Sequence, residues 1–97
     1  LCLFAEGEVD RSPTGSGVSA RLAVLHARGA IAVGEEIAIE SILGRASVFR
    51  GRVARAEAWA GRDAVIPEVR GSAHMTGSAR FVLDESDAIG RGFLVGR

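Results

Sequence analysis

One segment of this 97-residue chain is apolar around nearly its whole circumference when wound as a helix, which restricts what the rest must do. Val18, Leu22 and Leu25 follow the i, i+4, i+7 spacing, while Ala20, Ala23 and Ala27 widen the apolar surface to most of the barrel. A helix of that kind does not lie on a surface; the spacing predicts a helix over 17–28 that is buried inside a sheet. Arg28 followed by Gly29 supplies the stop, a cation at the negative end and then a residue free to adopt positive φ.

The remaining chain reads as the sheet. Leu1 to Glu6 is expected as a strand, Gly7 and Glu8 as a turn, and Val9 resumes apolar character. Period-two alternation marks strands at 36–41, 46–49 and 52–59, with Gly34, Gly44, Gly51 and Gly61 as joints. Further strands are expected around 64–69, 72–75, 79–83 and 93–95, with 84–92 as the last loop. One helix followed by many short strands is an α+β layout. Trp59, Phe49, Phe81 and Phe93 are expected in core or interface, and Met75 in packing.

The helix is entered through Asp10-Arg11-Ser12-Pro13-Thr14-Gly15-Ser16-Gly17. The first amides of a helix have no intrahelical partner and carry partial positive charge, so a carboxylate or phosphate can settle there if no bulky side chain intervenes. Gly15 and Gly17 supply the clearance. The plainer alternative is a glycine-containing turn capped by Ser16 or Thr14, because G-S-G alone is far short of a phosphate-loop or dinucleotide fingerprint. For Asp10 the corresponding alternatives are an Asx-type turn or a salt bridge to Arg11.

Composition narrows the partners. Twelve basic and twelve acidic side chains cancel without forming runs, so the electrostatic footprint of a nucleic-acid binder is absent. All twelve basic residues are Arg, which rules out Schiff-base chemistry, pyridoxal phosphate anchoring and a phosphate-loop lysine on these residues. Cys2, the lone cysteine, can form neither an intrachain disulfide nor a thiolate metal site, and its apolar neighbours point to a structural thiol. This usage fits a reducing compartment, so the expected location is cytoplasmic. The opening apolar run lacks a basic flank and is too short to span a bilayer; no membrane association is expected. A start at Leu marks the chain, on this reading, as a fragment or processed piece. His26 is assigned to the helix dipole or to structural hydrogen bonding, and His74 to a strand.

The wider string Asp10-Arg11-Ser12-Pro13-Thr14-Gly15-Ser16-Gly17-Val18-Ser19-Ala20-Arg21 closely resembles the second active-site motif of the proline racemase family, which includes proline racemases, 4-hydroxyproline epimerases and trans-3-hydroxy-L-proline dehydratases. The resemblance continues through Leu25-His26-Ala27-Arg28-Gly29, Glu40-Ser41-Ile42, Ile66-Pro67-Glu68, Gly71-Ser72-Ala73, Leu83-Asp84 and Gly92-Phe93, covering nearly all of this chain but only about the last third of such a protein. It implies the second lobe of a diaminopimelate-epimerase-like fold, a curved, mostly antiparallel sheet wrapping a central helix. It also implies cofactor-independent chemistry on a hydroxyproline-like substrate. In that scheme Gly15, Ser16 and Gly17 hold the carboxylate, Asp10 holds the ammonium, and Arg11 braces the loop.

Thr14 stands where racemases and epimerases of the family carry a cysteine that pairs with a second one across the substrate. An alcohol does not ionise near neutral pH as a thiol does, which argues against two-base chemistry. The resemblance therefore points to a one-base dehydratase of trans-3-hydroxy-L-proline, with Thr14 as a catalytic residue hydrogen-bonding the substrate or the departing hydroxyl; the alternatives are a 4-hydroxyproline epimerase or proline racemase relative and a non-catalytic remnant that keeps the anion-binding loop. The family's other cysteine motif, of Met-Cys-Gly-His-Gly type, is absent, and Cys2 does not match it. A preceding lobe is the implied partner, these residues alone are expected to be inactive, and a homodimer is compatible with the resemblance.

Overall fold

A computed structural model describes residues 1–96. The chain opens with a small antiparallel hairpin, β1 (Leu3–Phe4) against β2 (Glu8–Val9), in the register Leu3↔Val9. The turn lies at residues 5–7, where Gly7 takes a φ of 90°. The Asp10 amide donates to the Cys2 carbonyl at 3.3 Å, so the hairpin pins the start of the following loop.

Helix α1 runs over Gly15–Ala27, two residues earlier than expected. It ends as predicted: Gly29 adopts a φ of 69°, its amide donates to the His26 carbonyl at 2.9 Å, and the Ala30 amide reaches the Leu25 carbonyl at 2.9 Å. This reciprocal pair closes the last turn.

Three antiparallel strands follow in the order β3 (Glu36–Ser41), β4 (Gly44–Trp59), β5 (Arg62–Arg70). The expected strands at 46–49 and 52–59 are one 16-residue strand, so Gly51 is not a joint. Its role is clearance: a Cβ there would stand 3.0 Å from both Val18 Cγ1 and Leu22 Cδ1. The helix can approach the sheet closely because that side chain is missing. Register slips at Val53/Arg55, a bulge that increases the local twist. On the outer face Arg52 makes a bidentate pair with Glu68 at 3.0–3.1 Å, and Glu36 bridges Arg50 and Arg70 at 3.2 and 2.9 Å.

The core is Val18, Leu22, Ile31 and Val53, flanked by Leu25, Ile37, Ile39, Phe49, Val65 and Val69. Only one face of the helix is covered, contrary to the expectation of burial all round; Val24, Ala20 and Ala27 are exposed. The sheet of this chain has three strands, and three strands cover one side of a helix.

Beyond Arg70 the expected strands at 72–75, 79–83 and 93–95 do not form. Their alternation is strand-like, but a strand exists only through hydrogen bonds to a neighbour, and these residues pair with none of the described strands. The loop at 84–92 forms as expected, turning through Asp87, Gly90 and Gly92 amides donated to carbonyls three residues back. Met75, Phe81 and Phe93 are accordingly exposed, Phe81 at 92%, and Trp59 is also exposed at the tip of β4. Trp59, Phe81 and Phe93 are therefore not core residues and Met75 is not packed; Phe49 alone among the four aromatics expected in core or interface packs on the core. His74 lies in the same exposed segment rather than in a strand. The radius of gyration is 18.8 Å, against about 12.5 Å for a compact chain of this length.

Candidate functional site

The loop between the hairpin and the helix is a chain of side-chain caps on its own backbone. Asp10 Oδ1 accepts from the Ser12 amide at 3.0 Å, and Ser12 Oγ accepts from the Thr14 amide at 3.0 Å. Each is the i to i+2 bond favoured by Asp and Ser in turns. Pro13 has no N–H to compete, and a residue before proline is disfavoured in the helical region, which keeps the helix from starting at Ser12. The Thr14 hydroxyl then donates to Asp10 Oδ2 at 2.7 Å, closing a ring of three residues. Asp10 therefore makes the Asx turn and no salt bridge to Arg11, which is exposed and forms no hydrogen bond among the described residues. Ser12, not Arg11, braces this loop, a role not foreseen from the sequence; the signal was an acceptor side chain two residues before each loop amide.

Thr14 is buried, at 8% exposure, with φ 65° and ψ 107°. A β-branched residue at positive φ costs of order 1–3 kcal/mol and persists only where its surroundings over-determine it. Here its amide, its hydroxyl and its carbonyl, which accepts from Val18 N at 2.9 Å, are all bonded. Its side chain does not cap the helix, so the plainer reading of a Thr14-capped turn does not hold. The two donors reaching Asp10, the Thr14 hydroxyl first and the Ser12 amide second, hold its carboxyl below the ordinary aspartate value of 3.8.

Gly15, Ser16 and Gly17 form the first turn of α1 and are exposed. Their amides find no acceptor among the described residues, and no acidic side chain sits in that turn. A Cβ on Gly15 would meet nothing within 4 Å, and one on Gly17 would rest 3.6 Å from Thr14 Cβ. The structure thus gathers Asp10, Thr14, Gly15, Ser16 and Gly17 at one helix end, with a carboxylate and an oriented hydroxyl beside three open amides. Such an arrangement can take an anion at the amides and a cation at the carboxylate, as a zwitterion requires.

Behind the loop is a cleft of about 410 Å³ that includes Cys2, Asp10, Ser12, Arg21 and Ser41. Cys2 is half-buried there rather than fully enclosed. His26 lies in the last helical turn beside a second, more open cleft, and its Nδ1 is buried without a partner, so the expected structural hydrogen bond at that atom is not made. Among the described residues no three His, Cys, Asp or Glu side chains converge as metal ligands would, and no helix is long and apolar enough to cross a membrane.

Fold and site together define an α+β chain that presents the open N-terminus of its helix next to a carboxylate. The family model for proline racemase matches residues 1–94, and the chain belongs to the proline racemase family. It is 53% identical over 94 residues to a 3-hydroxyproline 2-epimerase of Burkholderia multivorans and 52% identical over 94 residues to a trans-3-hydroxy-L-proline dehydratase of Burkholderia cenocepacia. Each match takes in 97% of this chain but 28% of the relative, so the chain spans under a third of the length of the curated relatives it matches. The solved structure of a hydroxyproline epimerase from Agrobacterium vitis, with bound trans-4-OH-L-proline, superposes with a TM-score of 0.74 at 41% identity, over 96% of this chain and 26% of the other.

Proposed function

We propose that these residues are the substrate-holding part of a cofactor-independent dehydratase that converts trans-3-hydroxy-L-proline to pyrroline-2-carboxylate. The observation that carries the reading is Thr14: a hydroxyl, held at 2.7 Å from Asp10, occupies the position where two-base members of the family need a thiol. The amides of Gly15, Ser16 and Gly17 take the substrate carboxylate, and Asp10 takes the ring ammonium. A thiolate outside these residues, in a preceding lobe on the same or another chain, removes the α-proton.

As the proton leaves, charge grows on the carboxylate oxygens, where the open amides and the helix dipole stabilise it. In trans-3-hydroxy-L-proline the α-hydrogen and the hydroxyl share a ring face, both lying opposite the carboxylate. The base that takes the proton therefore stands beside the departing group. The C3–O bond breaks, the departing hydroxide takes the proton that the thiol has just gained and leaves as water, and the resulting enamine tautomerises to the cyclic imine. No acid is required on the opposite face, which is consistent with threonine there. A cytoplasmic location, expected from the cysteine usage of these residues, belongs to the same reading.

The 53% identity to a 3-hydroxyproline 2-epimerase favours a second reading, epimerisation of a proline derivative, which needs another acid or base on the face that Thr14 occupies. Incubating the protein encoded by the complete reading frame that contains these residues with trans-3-hydroxy-L-proline separates the two, with proline and 4-hydroxyproline as controls and all three followed for α-exchange in deuterated water. Imine without α-exchange of the controls supports the dehydratase. Exchange without imine supports the epimerase, and neither signal points to a binding protein that keeps the anion site alone.

A further inference from the structure

We propose that Ser12 is a positioning residue of this site, its hydroxyl and amide jointly fixing Thr14 and Asp10 in the geometry that dehydration needs; the proposal rests on the dehydratase reading. Ser12 bonds to both partners of the Thr14–Asp10 pair: its amide donates to Asp10 Oδ1 at 3.0 Å and its Oγ accepts from the Thr14 amide at 3.0 Å. Two consequences follow. The Thr14 amide is removed from the set of open donors, so a carboxylate arriving at the helix end finds the amides of Gly15, Ser16 and Gly17 and is placed by them alone. Thr14 is also held at its positive φ, where its hydroxyl reaches Asp10 Oδ2 at 2.7 Å.

The direction of that last bond matters. Thr14 has one hydroxyl proton and it lies on Asp10, so what remains for the substrate is oxygen lone pairs. Asp10 Oδ2 and Thr14 Oγ1 stand 2.7 Å apart and together face a donor-rich group, as a secondary ammonium with two N–H bonds is. Without the Ser12 oxygen the Thr14 amide becomes an unsatisfied, partly buried donor. Relaxation of φ then satisfies it at the expense of the Thr14–Asp10 bond. The depressed ionisation of Asp10 depends first on that same bond, so Asp10 should titrate higher when it is lost.

The test uses the complete protein. Ser12→Ala should lower kcat/KM for trans-3-hydroxy-L-proline by about 10- to 100-fold, the usual effect of a misplaced catalytic constellation, and shift the titration of the Asp10 carboxyl, followed by ¹³C NMR, upward. Ser12→Thr, which retains the oxygen, should restore both. Ser12→Gly removes the same acceptor and repeats the measurement should Ser12→Ala fail to accumulate. A Ser12→Ala enzyme within twofold of the parent in kcat/KM, or with an unmoved Asp10 titration, overturns the proposal. Absence of imine from the parent protein counts against the dehydratase reading instead. In that case the Asp10 carboxyl, followed by ¹³C NMR and assigned with Asp10→Asn, still decides Ser12: an upward shift in Ser12→Ala sustains the positioning role, and an unchanged titration refutes it.

Discussion

Gly15→Ala separates a helix end that binds a ligand from one that merely starts a helix. Gly15 has no positive φ, and an added Cβ would meet nothing within 4 Å. For folding alone the substitution should be neutral or favourable, by about 0.4–1 kcal/mol, since it restricts the unfolded chain and improves helix propensity. For binding the expectation is opposite. A methyl group at the first helical position crowds the approach of a carboxylate to the Gly15 and Ser16 amides, and losing one charge-assisted hydrogen bond costs about 1.5–3 kcal/mol, or roughly 10- to 150-fold in affinity. The assay pairs urea unfolding of the complete protein with calorimetric binding of pyrrole-2-carboxylate. Stability at or above the parent with affinity weakened at least tenfold supports an anion site. Unchanged affinity in a protein of parental stability would refute the clearance argument for Gly15.

Four further outcomes follow from the geometry. Gly51→Ala should destabilise by about 1–3 kcal/mol, because the new methyl stands 3.0 Å from Val18 Cγ1 and Leu22 Cδ1, and an unchanged urea midpoint would show the helix free to retreat. Leu22→Ala, at 0% exposure, should cost about 2–5 kcal/mol in the same measurement. Thr14→Cys should introduce α-deuterium exchange into 4-hydroxyproline, read by proton NMR; no exchange would mean that a thiol at this position is insufficient for two-base chemistry. Asp10, ionising below 3.8, should keep its charge as pH falls past the ordinary carboxylate range. Its folded value is depressed, so its contribution is present above the unfolded value and lost only as pH drops through the folded one. Ligand binding that already fails, through a group assigned to Asp10, at about pH 5 or above contradicts this.

Much of this architecture could be read from local pattern. The helix and its Gly29 stop are local: apolar spacing and one residue's conformational freedom determine them, and the structure shifts only the first turn, to Gly15. Strands β3 and β5 were legible for the same reason. Gly51 was misread because a glycine in an alternating run looks like a joint, whereas its cause is a helix some thirty residues away in sequence. The strands expected after Arg70 depended on another nonlocal quantity, pairing with a neighbouring strand, which these residues do not make. At the site, the grouping of Asp10, Thr14, Gly15, Ser16 and Gly17 followed from the motif. The Ser12 bonds and the direction of the Thr14 hydroxyl depend on loop dihedrals that no periodicity encodes.

The most direct test of the central claim is a crystal structure of the complete protein with pyrrole-2-carboxylate bound. The account predicts carboxylate oxygens at about 3 Å from the amides of Gly15, Ser16 or Gly17, with the ring nitrogen toward Asp10 and Thr14. A carboxylate seated on arginine side chains elsewhere, with the first turn of α1 still open, would contradict it.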